Sequence, residues 1–220
     1  MIYTEVILVA GGLGTRFKSK IPKPFVHLKK KPLISHALSV FNTNKAINGI
    51  IVVGSKGFLN DYQKVCSSFD KVKQVVAGGL TRADSVKCGI AALDKKTTHV
   101  LVHDAARPFV TASMIEDILK ALTKFPAAIV AVPVKATVKE VSAAGIVIKT
   151  PDRKKMWEVQ TPQGFKRQVL EKAHLKPYNG EATDDAMLVE QLGLKVKVVA
   201  GNYRNIKITT PEDLKIGEAL

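Results

Sequence analysis

The feature that most constrains the fold of this chain is a repeated alternation between short β-branched runs and stretches with helical periodicity. Several of the runs, such as GIIVVG, are continuously apolar, which is typical of strands buried on both faces of a sheet. This order of elements predicts an α/β fold built on a doubly wound, mostly parallel sheet with helices on both faces. The predicted strands cover residues 5–10, 49–54, 72–79, 99–108 and 126–134.

Helical patterns fill the intervals between these strands, and several carry recognisable N-terminal signals. Residues 82–94 place Val86, Ile90 and Leu93 on one face, which predicts a helix packed on the sheet. The other helix starts are indicated by proline in the first turn, by Ser or Thr caps and by a Ser-x-x-Glu capping box. The residues that carry these signals are Pro32, Ser113 with Glu116, Thr183, and Thr210 with Pro211.

One segment interrupts this rhythm. Residues 135–160 hold two alternating β runs around Ala143-Ala144-Gly145, and they are too polar and basic for a central strand. The pattern predicts a hairpin, which is marginal in water by itself and therefore has to pack on its own domain or on a second subunit. No internal repeat, low-complexity tract or linker is present. The sequence therefore predicts a single domain over residues 1–220 with a β-arm insertion at about 135–160.

The chain is strongly basic, with 34 Lys and Arg against 19 Asp and Glu and a formal net charge of +15. A basic surface attracts anions, so nucleic acid and small phosphorylated substrates are both candidates. The basic residues have no zinc-finger spacing, no RNA-recognition aromatic signature and no basic recognition helix, and aromatic residues make up only 6% of the chain. Composition therefore favours a small anionic substrate over nucleic acid.

Hydropathy and cysteine usage predict a cytoplasmic protein without a membrane segment. No stretch reaches the roughly 20 apolar residues that span a bilayer. The first apolar run contains Glu5 and ends in glycines, as a core strand does and a signal peptide does not. Cys66 and Cys88 are predicted to be free thiols, which suits a reducing compartment and offers neither a disulfide framework nor a metal cluster.

The stretch VILVAGGLGTRFKSKIPKPF begins in the first predicted strand and continues through a glycine-rich turn. Gly11, Gly12 and Gly14 allow the backbone to approach an anion closely and to direct N–H groups at it. The spacing is neither the dinucleotide fingerprint nor the Walker sequence, so an ordinary turn is the alternative. Arg16 and Lys23 add a planar fork donor and a point charge, a pair that suits a phosphate chain.

Polar residues also follow other predicted strands, and ligands bind where the carboxyl ends of parallel strands meet. In GGLTRADSV, Ser85 can face a base edge, or Asp84 and Ser85 can simply cap the helix. In VHDAARPF, Asp104 directly follows a buried strand, which is the usual place of a Mg²⁺ ligand at a nucleotide site. His103 is expected to be a packed histidine, and Arg107 can pair with Asp104 or act on substrate. Lys207 is predicted to lie in a short apolar strand, either as a phosphate-binding amine or as a surface lysine.

Together these pieces resemble one known family. Nine motifs occur in register along nearly the whole chain, which is similar to the 2-C-methyl-D-erythritol 4-phosphate cytidylyltransferases, nucleotidyltransferases with a glycosyltransferase-A-like fold. The resemblance implies a single α/β domain whose β-arm interlocks a homodimer. The motifs are AGGLGTRF, PKPF, GGLTRADSV, VHDAARPF, PVKATVK, DRKKMW, TPQGF, ATDDA and NIKITTPEDL.

The resemblance also implies the reaction, in which CTP and methylerythritol 4-phosphate give the CDP-alcohol and pyrophosphate, with Mg²⁺ as cofactor, in non-mevalonate isoprenoid synthesis. The phosphate oxygen of the alcohol attacks the α-phosphorus in line, and no covalent enzyme intermediate forms. Arg16, Lys23 and Lys207 match the family's catalytic cations at the α-phosphate, and Asp104 matches its metal ligand. The matches to nucleotide-binding positions are Ala10, Gly11, Gly12, Gly14, Thr15, Gly79, Ser85 and Ala105.

A further set of matches concerns the alcohol phosphate. Arg153 and Thr161 match arm-region residues that reach the sugar-phosphate pocket of the partner subunit. Arg107, Thr137 and Thr183 match the rest of that pocket. The resemblance therefore implies that two copies of the chain share each substrate site.

Two residues depart from the family pattern. Pro24 stands where Gln is usual after the Pro-Lys pair, and Leu80 stands where an acid is common beside the cytosine site. Both bear on base and substrate preference more than on the reaction class. A pentitol-phosphate cytidylyltransferase acting on ribitol 5-phosphate is the nearest alternative, although DAARP and RADSV favour the isoprenoid enzyme. A non-catalytic nucleotide- or nucleic-acid-binding protein is a more remote one.

Overall fold

The computed structural model describes residues 2–12, 17, 21–177 and 182–220. Within this part of the chain, strands and helices alternate as the sequence predicts. The strands, in chain order, are β1 (Thr4–Val9), β2 (His27–Leu28), β3 (Lys31–Pro32), β4 (Gly49–Gly54), β5 (Val72–Ala77), β6 (His99–Asp104), β7 (Ala127–Pro133), β8 (Glu140–Val141), β9 (Val147–Lys149), β10 (Trp157–Lys166) and β11 (Val196–Ala200). The α-helices are α1 (Leu33–Thr43), α2 (Leu59–Cys66), α3 (Arg82–Ala91), α4 (Ala112–Leu122), α5 (Arg167–Leu175), α6 (Asp185–Glu190) and α7 (Pro211–Ala219).

Seven of the strands form one sheet in the order β11-β7-β10-β6-β1-β4-β5. Four neighbouring pairs are parallel, whereas β10 runs antiparallel to both β6 and β7. The predicted mostly parallel α/β sheet is therefore confirmed. In β1, Val6, Ile7 and Leu8 are fully buried, because helices cover both faces of the sheet.

The helices cover the two faces in two groups. On one face, α1, α2 and α4 share a core with Leu8 of β1, and on the other, α3, α5 and α6 share a core with Ile7. Adjacent strand residues point to opposite faces, so one central strand contributes to both cores. None of the helices in the described residues is long and apolar enough to cross a membrane.

The observed first residues of the helices can be compared with the N-terminal signals predicted from the sequence. The start of α7 is as predicted: Thr210 and Asp213 form a reciprocal capping box, and Pro211 occupies the first turn. The start of α1 comes one residue later than a first-turn proline would give. Pro32 pairs with His27 in the β2–β3 hairpin and acts as the N-cap, so the helix begins at the next residue.

Two predicted N-caps are wrong. Thr111 caps α4, and the hydroxyl of Ser113 instead lies 2.9 Å from that of Thr111, so the Ser113–Glu116 capping box does not form. Asp184, not Thr183, caps α6, and its carboxylate also accepts a side-chain amide of β10 at 2.8 Å. A carboxylate interacts favourably with a helix N-terminus through its charge as well as its hydrogen bonds, which explains why the acid takes the cap position.

The predicted arm forms a hairpin. Strands β8 and β9 pair antiparallel, and Gly145 lies in the turn between them with a φ of 77°, a conformation that favours glycine. The arm is shorter than predicted, because residues from Trp157 onward belong to β10 of the main sheet. Ile146, Val147 and Ile148 in the hairpin are 68%, 52% and 60% exposed, so their own chain leaves them uncovered.

Candidate active site

A cleft of about 880 Å³ opens at the carboxyl edge of the main sheet. Its walls include the residues that follow β1, β4, β5 and β6, which are neighbouring parallel strands. Such strand ends are the usual ligand site of a doubly wound sheet, and the volume suits a nucleotide-sized ligand. The predicted site residues that line the cleft are Ala10, Gly11, Gly12, Lys23, Gly79, Ser85, Asp104, Ala105 and Lys207.

The start of the glycine-rich loop is attached to the end of β4. The Ala10 N–H donates to a β4 carbonyl at 2.8 Å, and the Ser55 hydroxyl donates to the Gly11 carbonyl at 2.9 Å. Lys23 lies in a short 3₁₀ turn at the other end of the loop. Three predicted residues of this loop lie outside the described part of the chain, namely Gly14, Thr15 and Arg16.

A partly buried ionic cluster borders the cleft at the end of β6. The Asp104 carboxylate contacts Lys207 Nζ at 2.6 Å through Oδ2 and Arg82 Nε at 3.4 Å through Oδ1. Arg82 Nη1 also donates to Asp185 Oδ2 at 2.7 Å. The other oxygen of Asp185 lies 3.0 Å from His174 Nε2. The cluster therefore joins the end of β6 to α3, α5, α6 and the segment before α7. Lys207 lies in that segment outside any strand, so the predicted short strand around it is wrong.

The cluster keeps Asp104 ionised. Burial alone would raise the pKa of this carboxyl group, but the charges of Arg82 and Lys207 and the hydrogen bond from Lys207 hold its pKa well below the usual range. Burial likewise opposes the charge on Arg82, whose pKa is nevertheless raised by Asp185 and Asp104. A carboxylate flanked by two cations therefore lies at the cleft at neutral pH.

Arg82 and Asp185 are the site residues that sequence reasoning missed. Arg82 is the first residue of α3, where the helix dipole opposes a cation. An arginine there needs a fixed anionic partner. The arginine at the start of the helix predicted from GGLTRADSV could therefore have indicated a buried ion pair. The sequence gives a weaker indication for Asp185, because it is the second of two adjacent acids and the first is the cap of α6.

Thr161 and Arg107 lie behind the cleft lining, and Thr161 supports Asp104. The Thr161 hydroxyl accepts the N–H of Asp104 at 3.1 Å and donates to Nδ1 of the neutral His103 at 2.9 Å. Nε2 of His103 donates to the Arg107 carbonyl at 3.0 Å, which confirms the predicted packed histidine. The Arg107 guanidinium donates to two backbone carbonyls at 2.7 and 3.2 Å, whereas Arg82 and Lys207 are the cations that contact the Asp104 carboxylate, so the predicted alternative of an Arg107–Asp104 ion pair is wrong. The proposed substrate contacts of Thr161 and Arg107 stay predictions.

Thr137, Arg153 and Thr183 do not line the cleft of their own chain. Thr137 and Arg153 are exposed on the arm, where Arg153 donates to the Lys135 carbonyl at 2.8 Å. Thr183 is exposed just before α6, and its hydroxyl lies 3.6 Å from Met187 Sδ. One chain therefore does not bring these three residues together with Asp104, and their contact with the alcohol phosphate also stays a prediction.

The predicted metal ligand is a single carboxylate. Across the described ranges, no group of three or more His, Cys, Asp or Glu side chains is placed to hold a metal ion. Mg²⁺ commonly binds one or two carboxylates and completes its coordination with water and substrate phosphates. The ionised Asp104 fits this pattern, in which the metal is held jointly by the protein and a phosphate-bearing ligand.

The two residues that depart from the family pattern both line the cleft. Pro24 is buried directly after Lys23, and Leu80 is fully exposed in the turn before α3. Neither side chain can donate or accept a hydrogen bond. Any polar recognition at these two positions must therefore come from backbone groups.

The fold and the site define the class of protein. A doubly wound sheet, glycines directly after its first strand and a carboxylate between cations at its carboxyl edge are features of an α/β enzyme that binds a nucleotide at its strand ends. Over residues 4–220 the chain matches the family model of IspD, 2-C-methyl-D-erythritol 4-phosphate cytidylyltransferase. The chain belongs to this enzyme family.

Relatives agree over the full length of the chain. The 2-C-methyl-D-erythritol 4-phosphate cytidylyltransferase of Alkaliphilus metalliredigens (strain QYMF) is 43% identical over 224 residues, covering 98% of this chain and 91% of the relative. The enzyme of the same name from Clostridium botulinum (strain Okra / Type B1) is 42% identical over 228 residues, covering 100% and 98%. The crystal structure of 4-diphosphocytidyl-2C-methyl-D-erythritol synthase from Anaerococcus prevotii DSM 20548 matches with a TM-score of 0.88 at 32% identity, over 99% of this chain and 97% of that one.

The buried His103 predicts a pH dependence of stability. Burial lowers the pKa of His103 from 6.5 to about 4. Between these values the unfolded chain binds a proton that the folded chain excludes, so this group's stabilisation is complete above pH 6.5 and falls as the pH drops towards 4. His103→Gln should therefore show a smaller loss of Tm than the unmodified protein over this pH range, measured by thermal denaturation. The same loss of Tm in both proteins would contradict a neutral buried His103.

Proposed function

We propose that the cleft binds CTP and transfers its cytidylyl group to the phosphate of 2-C-methyl-D-erythritol 4-phosphate, with release of pyrophosphate. The observation that carries this proposal is the Asp104 carboxylate held between Lys207 and Arg82 in a cleft that Gly11 and Gly12 also line. Such a site accommodates a polyphosphate together with a shared cation. Family membership supports the choice of base and alcohol.

The transfer requires positioning and charge stabilisation rather than a protein nucleophile. A phosphate oxygen of the alcohol forms a bond to the α-phosphorus, and the bond from that phosphorus to the bridging oxygen of pyrophosphate breaks. Negative charge on the crowded phosphorus is stabilised by fixed cations around it. Lys23 and Lys207 line the cleft and supply two of these charges, and Arg16 of the glycine-rich loop is expected to supply the third.

Asp104 would hold Mg²⁺ together with phosphate oxygens of the nucleotide. The metal, when bound, neutralises charge on the triphosphate and on the departing pyrophosphate. The chain's own contribution is an ionised carboxylate at a fixed position, since Asp104 is anchored through its backbone N–H to Thr161 and through its side chain to Lys207 and Arg82.

The turn between β5 and α3 would receive the cytosine base, and Ala105 would lie near the ribose. A Cβ added at Gly78 would lie 2.7 Å from Ser85 Oγ, so glycine keeps this turn close to the helix start. The Ser85 hydroxyl donates to the Thr81 carbonyl at 3.0 Å and retains its capacity to accept. Recognition of the base would thus combine backbone groups around Gly79 with one hydroxyl.

The arm supports a homodimer. Ile146, Val147 and Ile148 are exposed on a hairpin that has little stability by itself, and a second copy of the chain would cover them. Thr137 and Arg153 lie on the same arm. They would contact the alcohol phosphate in the partner's cleft, which accounts for their distance from Asp104 within one chain.

The cysteines support a cytoplasmic location. Cys66 is buried, Cys88 is half-buried, and both are free thiols. Free thiols are typical of proteins in a reducing compartment, and we place the enzyme there on this ground.

A substrate panel tests the proposed reaction. The protein is incubated with Mg²⁺ and CTP plus either 2-C-methyl-D-erythritol 4-phosphate or ribitol 5-phosphate, and pyrophosphate release is followed. We expect faster turnover of the methylerythritol phosphate. Faster turnover of ribitol 5-phosphate would overturn the choice of alcohol. Absence of release with both alcohols would leave a nucleotide-binding protein without this activity.

Subunit mixing tests the catalytic cation and the arm together. Lys23→Ala should lower kcat by about 10²–10³-fold, because it removes a charge at the reacting phosphorus. Lys64→Ala, an exposed α2 lysine, is the matched control. Arg153→Ala should be impaired as well. When the Lys23→Ala and Arg153→Ala subunits are mixed and reassembled, we expect partial recovery of activity, because some dimers then contain one intact site.

Two outcomes would contradict this assignment. A near-normal kcat in Lys23→Ala would remove Lys23 from the mechanism. Activity in the mixture that does not exceed the separate activities of the two variants would show that the arm does not complete the partner's site.

A further inference from the structure

The glycine-rich loop must be held at both ends if it is to place cations around a triphosphate. Its first residues are Ala10 and Gly11, and its last are Lys23 and the residues of the 3₁₀ turn ending at Phe25. None of the groups assigned to the transfer itself fixes these two ends relative to each other. A side chain that the mechanism does not use lies between them, that of Tyr62 on α2, which is completely buried.

Tyr62 contacts the start of the loop through its hydroxyl. Oη donates to the Ala10 carbonyl at 2.7 Å, in a buried hydrogen bond between residues 52 positions apart. The next loop carbonyl, that of Gly11, accepts the Ser55 hydroxyl at 2.9 Å. The first two carbonyls of the loop are therefore both bound by side chains, one from α2 and one from the residue that follows β4.

The same side chain contacts the end of the loop through its ring. The ring centroids of Tyr62 and Phe25 are 4.7 Å apart with an interplanar angle of 48°, within the range of favourable aromatic pairs. The Phe25 N–H donates to the Pro22 carbonyl at 2.9 Å, which closes the turn that carries Lys23. The ring thus supports the segment that presents Lys23.

The position of Tyr62 is itself tightly determined. Its ring lies against Gly54, at the end of β4, so closely that a Cβ at Gly54 would overlap it. The hydroxyl stays a hydrogen-bond donor throughout the neutral range, because burial raises the pKa of Tyr62 to about 12. A rigid ring between a strand end and two loop ends cannot shift without disturbing all three.

We propose that Tyr62 is a positioning residue for the nucleotide, clamping the start of the glycine-rich loop through Ala10 and its end through Phe25. It contacts no substrate and acts through the loop, whose phosphate-binding role is the proposed function above. The free energy of this clamp contributes to CTP affinity, because loop ends held before binding do not have to be ordered when the triphosphate enters.

Removal of one oxygen atom tests the clamp. Tyr62→Phe keeps the ring and its contact with Phe25 and removes the hydroxyl that donates to Ala10. We expect the KM for CTP, and the calorimetric Kd for CTP, to rise by about 3- to 10-fold, the effect of losing roughly one neutral hydrogen bond. The KM for the alcohol phosphate should not change. A role in packing alone would lower Tm without shifting the balance between these two KM values.

A second variant and a matched control keep the test decisive. Phe25→Leu removes the ring contact at the other end of the loop and should raise the KM for CTP in the same selective way. Tyr3→Phe makes the same chemical change just before β1, at the opposite edge of the sheet from the cleft, and should leave both KM values unchanged. If the CTP effects in both loop variants are no larger than in Tyr3→Phe, the clamp is wrong.

The outcomes also separate this inference from the proposed reaction. If the unmodified protein neither binds nor uses CTP, the proposed reaction is wrong, and so is the proposed role of Tyr62 in CTP binding. Normal CTP turnover by the unmodified protein, with an unchanged KM for CTP in Tyr62→Phe and Phe25→Leu, would leave the reaction intact and overturn only the role of Tyr62.

Discussion

The rest of the site depends on the Asp104 carboxylate held between Lys207 and Arg82. Removing one partner would leave the Asp104 charge poorly solvated and without its counter-charge, so these groups are constrained to stay together. Arg82 is held in turn by Asp185, and Asp185 by His174. One carboxylate at a strand end therefore determines how α3, α6 and the segment before α7 are arranged around the cleft.

The net charge of this cluster also explains why a triphosphate substrate needs cations from elsewhere in the cleft. Arg82 and Lys207 balance Asp104 and Asp185, so these four groups together carry no net charge. A triphosphate needs further positive charge, which the cluster does not supply. The proposed reaction accordingly draws on Lys23, on Arg16 and on a divalent cation held at Asp104, while the 42% exposed Lys207 side chain can reach a phosphate from within the cluster.

Features encoded locally could be predicted from the sequence. Apolar runs such as GIIVVG gave the strands, and Thr210 with Pro211 gave the start of α7, because each depends only on near neighbours. Ser113 does not cap α4, because its hydroxyl bonds to the hydroxyl of Thr111. Thr111, two residues earlier, is an equally good cap residue, and the sequence pattern does not tell which of the two takes the cap position. Local sequence signals therefore predict well which helices and strands form. They predict less well which polar side chain caps a helix.

The contacts that build the site could not be predicted from local sequence patterns. Arg82 meets Asp185 across 103 positions, and Tyr62 meets Ala10 across 52, so neither pair leaves a spacing in the sequence. The lining residues Lys23, Asp104 and Lys207 were found through motifs. Their mutual distances, and the placement of Thr161 and Arg107 behind the lining, follow only from how β10 inserts beside β6.

The most direct test of this account compares two buried carboxylates at opposite edges of the same sheet. Asp104 lies at the cleft, whereas Glu5 on the neighbouring β1 is 1% exposed and accepts the Asp94 N–H at 2.8 Å at the other edge. The kcat/KM for CTP is measured in Asp104→Asn and Glu5→Gln, with Tm recorded for both. The account predicts a loss of at least about 10²-fold in Asp104→Asn, and a nearly unchanged value in folded Glu5→Gln. A kcat/KM in folded Asp104→Asn close to that of the unmodified protein would contradict it.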